Sequence, residues 1–112
     1  MKVGHYTEIE EKPVEATGAV GTTVRWLIAK EDGAPNFAMR VFTLSPGGSS
    51  PHHTHSFEHE VFFLEGEGEV FMDGKTYPVK EGFFAFIPGG VEHQIRNKGK
   101  GVLRFICVVP IK

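Results

Sequence analysis

Glycine and proline interrupt this 112-residue chain fourteen and seven times, so no helix of ordinary length has room to form. Between the breaks lie short runs rich in Val, Ile, Phe and Thr, and no window repeats apolar residues at i, i+3, i+4 and i+7. This is the pattern of an all-β protein. Strands are expected over 24–29, 37–44, 60–65, 69–72, 75–79, 83–87, 93–97 and 102–109, each bounded by Gly, Pro or Asp-Gly. Eight short strands suit a sandwich or barrel. The Asp73-Gly74 pair supplies the positive φ of a two-residue turn, so the segments on either side of it should form a hairpin.

A chain of this length builds one hydrophobic core and is read as a single domain, 1–112. With 23% charged residues and a net charge of −2, it offers no basic face for nucleic acid and no polybasic tail for an anionic membrane. The first ten residues hold Lys2, His5, Glu8 and Glu10 and no apolar stretch, which reads as cytoplasmic. The single cysteine, Cys107, allows neither an internal disulfide nor a cysteine-rich zinc site, so any metal must rest on nitrogen and oxygen ligands. Ten phenylalanines exceed what so small a barrel can enclose. A homodimer is therefore expected, covering a sheet face that carries Phe62 and Leu64.

Five of the six histidines fall between His52 and His93. Alternate side chains of an extended strand share a face, so His53 and His55 should point together and His52 away. His59 follows across Ser56-Phe57-Glu58 and can return to the same interior, and His93 arrives from a separate strand. His5 and His52 are read as ordinary satisfied or surface histidines. Four imidazoles buried together without an ion would leave donors and acceptors unpaired, at about 1–3 kcal/mol each. One divalent transition metal per chain, held by His53, His55, His59 and His93, removes that cost.

These residues resemble a known family. Gly47, five residues, His53-Thr54-His55, then His59, six residues and Gly66 is similar to the first cupin motif, 47–66. Gly82, five residues, Pro88-Gly89-Gly90, then His93 and Asn97 is similar to the second, 82–97. The chain also looks like small microbial cupins with an all-histidine site, including the stretch from Ala34 to Gly48. The resemblance implies a jelly-roll β-barrel of two antiparallel sheets with a metal inside, near one mouth. Cupins usually place Glu at the third ligand position, and here His59 and Glu60 adjoin. Seven positions back from Gly66 is His59, whereas the same count on from Glu60 ends at Glu67, so His59 is taken as the ligand. A one-residue slip would exchange it for Glu60.

Alternation about a solvent-facing Arg104 turns Leu103, Phe105, Cys107 and Val109 inward, which makes Phe105 and Cys107 candidate pocket walls. The same reasoning groups Arg40 with Ala38 and Phe42, and an inward Arg40 suits a substrate carboxylate. The leading expectation is a metal-dependent enzyme of the oxygenase type acting on a small organic substrate, since four protein ligands on an ion that takes six leave two positions open. A metal-dependent decarboxylase or isomerase, or a non-catalytic binder of metal or small ligand, are the alternatives. Mn, Fe, Cu, Zn and Ni all fit the ligand set.

Overall fold

Alternation in the sequence becomes alternation in burial: from Leu103 to Val109 every second residue is buried, and those between are half-buried. The computed structural model describes residues 1–111. Its strands are β1 Lys12–Pro13, β2 Val20–Ile28, β3 Phe37–Ser49, β4 His59–Glu65, β5 Glu67–Met72, β6 Lys75–Lys80, β7 Phe84–Ile87, β8 His93–Asn97 and β9 Leu103–Pro110. Two single-turn 3-10 helices are the only helical segments among the described residues.

All pairings are antiparallel, in the order β6-β5-β8-β3-β9-β4-β7, with β2 on β3 and β1 on β2. The two sheets expected from the sequence are joined into one by β3. This strand pairs with β9 from Phe37 to Leu44, then continues to Ser49, which sits opposite Arg96 of β8 and Val20 of β2. That double use explains why β3 runs past Leu44, the end expected from the Pro46-Gly47 pair. Two-residue β1 carries too little pattern to be seen in the sequence.

The hairpin forms as expected: Asp73 and Gly74 both have positive φ, 52° and 77°, between Met72 and Lys75, which pair directly. Gly66 turns β4 into β5 at φ 92°, and a Cβ there would lie 2.2 Å from the Val102 carbonyl oxygen, so no larger residue fits. Asn97 ties the end of the second motif to β3. Its amide nitrogen donates to the Leu44 and Gly101 carbonyls at 2.9 Å each, and its oxygen accepts from Gly99 N–H at 2.9 Å.

Phe63, Phe105, Leu44, Ile87, Leu103 and Val70 fill the interior, almost wholly shielded from solvent. On the outside the cover is uneven. Tyr6 lies under the guanidinium groups of Arg25 and Arg104, 5.4 and 5.6 Å from its ring centre, so the N-terminal segment shields that side. The outer face of β4 and β7 has no such cover: Phe62, Phe84 and Phe86 are 47%, 80% and 57% exposed. Leu64 sits where the β4–β9 register slips, between the Phe63 and Glu65 pairings, and is half-buried.

Candidate metal centre

Two of the four histidines are strand starts. His59 opens β4 and His93 opens β8, and both are buried. His53 and His55 come from the 50–58 segment, which contains no regular strand; only His53 pairs, through a reciprocal bridge in which His53 N–H and His93 N–H donate to each other's carbonyls at 3.3 and 3.2 Å. The shared strand face expected for His53 and His55 is therefore not what brings them together. The segment curls instead. Gly90 N–H donates to the His55 carbonyl at 2.7 Å, and the His55 ring stacks on Phe57 at 3.9 Å.

One ring nitrogen from each of His53, His55, His59 and His93 lies within 4.8 Å of the others, which is close enough for a single ion. The ring orientations suit metal ligation. Nδ1 of His55 faces the Phe57 carbonyl at 3.0 Å and Nδ1 of His93 faces the Val91 carbonyl at 2.9 Å. A carbonyl only accepts, so both Nδ1 atoms carry the proton and both Nε2 atoms keep a free lone pair. Nε2 of His55 and Nε2 of His59 approach to 2.7 Å, a separation that asks for a proton or a cation between them.

Loss of water around them disfavours the charged form of three of the rings, His53, His59 and His93. Desolvation lowers His59 from the ordinary value near 6.5 to about 3, with the Arg40 charge adding to it. The same cause, with His55 and His93 nearby, lowers His53 to about 4, and His93 is lowered as well. Neutral imidazole is the form that binds metal.

Glu60 points to solvent while His59 points in, so the slipped register is not adopted. His52 turns away to Glu92, with Nε2 2.9 Å from the carboxylate. His5 caps the first 3-10 helix, accepting from Thr7 N–H at 3.3 Å.

A cavity of about 170 Å³ opens beside the cluster, its walls including Arg40, Phe42, Phe105 and Cys107, all four singled out from the sequence. Among the described residues no Asp or Glu lines it. Phe42 and Phe105 stack at 5.3 Å across the β3–β9 pairing. Cys107 Sγ accepts from Arg40 Nη2 at 3.0 Å and lies 3.1 Å from His59 Nδ1; burial pushes its thiol pKa up. Trp26 also lines the cavity and was not apparent from the sequence. It follows Thr22 and Val24 in strict alternation on β2 and pairs with Arg40 across the β2–β3 ladder, a register that one sequence does not specify.

An antiparallel β-barrel with four converging imidazoles defines the class: a small barrel protein with a cluster able to bind one metal ion. The chain belongs to the Cupin_2 family, whose Cupin domain matches residues 40–109. Over its full length it is similar to the crystal structure of the polyketide cyclase RemF from Streptomyces resistomycificus, with 38% identity, a TM-score of 0.92 and 80% of that chain covered. An oxalate-binding protein from Thermotoga maritima is 39% identical over 67 residues, 59% of this chain and 55% of that one. The polyketide synthase CurC from Streptomyces cyaneus is 29% identical over 100 residues, 88% of this chain and 65% of that one. This chain thus spans between half and two thirds of those two curated relatives. No helix among the described residues is long and apolar enough to cross a membrane.

Proposed function

We propose that this cupin is a metal-dependent enzyme that closes a ring within a small oxygen-rich polycarbonyl substrate. The observation that carries the reading is a purely imidazole cluster, with no carboxylate, beside an apolar cavity in a chain 38% identical throughout to a polyketide cyclase. His53, His55, His59 and His93 would hold the ion, with His55 and His93 oriented by the Phe57 and Val91 carbonyls. When bound, a divalent ion in this setting supplies Lewis acidity to substrate oxygens. Phe42, Phe105, Val61 and Ile87 keep water from the reacting carbons and hold a flexible chain folded on itself. Ring closure joins an enol carbon to a carbonyl carbon; the enol proton passes to the carbonyl oxygen, and water leaves if the ring becomes aromatic. No oxidant is consumed, which separates this chemistry from the oxygenase expected from the sequence.

The test is incubation of protein loaded with Zn, Mn, Fe, Cu or Ni with heptane-2,4,6-trione under argon and in air. Ring formation with loss of one water at equal rates in both atmospheres is the expected result. Oxygen uptake with oxygen incorporated into product would restore the oxygenase reading. Loss of carbon dioxide from a β-keto acid would favour a decarboxylase, and tight binding without turnover would make the protein a carrier of metal or small ligand. A cytoplasmic setting, which keeps Cys107 reduced, fits all of these.

The bare face of β4 and β7 supports a homodimer. Phe62 pairs with Phe84 across the two strands and Phe86 lies two residues on, opposite the exposed Glu60, an apolar patch edged by one carboxylate that a second copy would bury. Light scattering at micromolar concentration should give twice the 12.4 kDa chain mass, and Phe84→Glu should halve it. A monomer in both would overturn the assignment.

A further inference from the structure

The four arginines divide three to one. Arg25 lies 3.9 Å from Glu11, Arg96 lies 3.2 Å from Glu69, and Arg104 pairs with Glu65. Arg40 has no carboxylate partner among the described residues, and it is the arginine that lines the cavity. Its neighbours are a thiol at 3.0 Å, the His59 Nδ1 at 3.3 Å and the faces of Trp26 and Phe42, 5.2 and 4.8 Å from the guanidinium carbon. None of these carries negative charge in its ordinary form. Its Nε is buried and makes no hydrogen bond. Arg40 is half-buried, and a guanidinium partly withdrawn from water with one buried, unpaired N–H is stabilised when a ligand brings the anion.

Arg40 and Trp26 also form part of the wall of an outer groove lined by Lys12, Lys30, Glu31, Phe57 and Ile111, with no carboxylate among the described residues in ion-pair contact with Arg40. The pair therefore stands where the inner cavity meets the outside. An anionic group held at Arg40 leaves the remainder of a molecule free to reach the histidines inward or to extend along the groove.

We propose that Arg40 is the anion-binding residue of this pocket, and that the substrate carries a carboxylate or enolate conjugated to a planar body of about one ring. The size follows from the 170 Å³ cavity, since an apolar cavity of about 150 Å³ holds benzene. The planar, forked guanidinium, braced between two aromatic faces, suits a two-oxygen anion. The assignment deepens the proposed function and rests on it for the identity of the reacting head.

Benzoate and its neutral counterpart benzamide probe this, with affinities read by calorimetry and by quenching of Trp26, the only tryptophan. Metal-free protein is used first, because a divalent ion would itself prefer the anion. Benzoate should bind about tenfold or more tightly than benzamide, Arg40→Gln should equalise them, and Arg40→Lys should keep part of the preference. Equal binding of the two by the unaltered protein, absence of benzoate binding, or a preference that survives Arg40→Gln would overturn the proposal. The first two outcomes need no variant to fold. Zinc uptake by the same samples separates the two readings: discrimination without zinc uptake sustains Arg40 and sinks the metal assignment, and zinc uptake without discrimination does the reverse.

Discussion

His93→Ala is expected to lose stable metal binding, while His52→Ala keeps it. His93 is buried, offers Nε2 to the cluster and has its ring fixed by the Val91 carbonyl, whereas His52 points to Glu92 on the surface. Partners that only orient a metal ligand are worth about 10–100-fold in affinity, so removing a ligand should cost at least about 100-fold. His59→Ala should match His93→Ala, and Glu60→Ala should resemble His52→Ala, because Glu60 faces solvent. Zinc per chain after dialysis against a weak chelator measures all four, with thermal unfolding as the control for folding. Equal losses at His52 and His93, or full zinc retention by His59→Ala, would refute the proposed ligand set.

Metal-free protein should also lose stability in mild acid. His59 titrates near 3 in the folded chain and His93 is lowered too, both by burial; His53, lowered to about 4 but exposed to solvent, adds less. Once unfolded, the same imidazoles take up protons near the ordinary value of about 6.5. Between those limits the unfolded chain binds more protons, so stability falls as pH drops from about 6.5 and levels off only below the folded values. For the well-buried His59 alone the loss is on the order of a few kcal/mol. Urea midpoints from pH 7.5 to 4.5 should therefore decline steadily, and His59→Leu should flatten the slope. Saturating zinc, which binds only the neutral rings, should raise every midpoint. A midpoint independent of pH over this range would show that the rings are not held neutral by burial.

How much of this was legible beforehand differed from strand to strand. On β9 and β4 strict alternation gave the buried face correctly, including Phe105 and Cys107 inward and Glu60 outward, because each strand has one face on the core and a slip would invert it. The histidine quartet is legible from spacing, but a shared strand face is not what gathers His53 and His55, since their segment lies outside the ladder. The contact of Arg40 with Cys107 depends on β3–β9 register, and that of Cys107 with His59 on β4–β9 register. One sequence specifies neither. Trp26 lies within an expected strand, but its meeting with Arg40 depends on β2–β3 register, and the bare β4–β7 face shows in the sequence only as a surplus of phenylalanine.

His53 is exposed, whereas His59 and His93 are buried. An ion held by the quartet would meet solvent first at this ring, and any slow exchange with the surroundings would run past it. Four imidazoles rank the first-row metals by the general order of affinity, in which copper and zinc outbid iron and manganese, so the occupant would reflect what the cell supplies. The same polypeptide made in iron-rich and zinc-rich media would then be two populations with different chemistry, and their abundances would record the nutrition of the cell that made them.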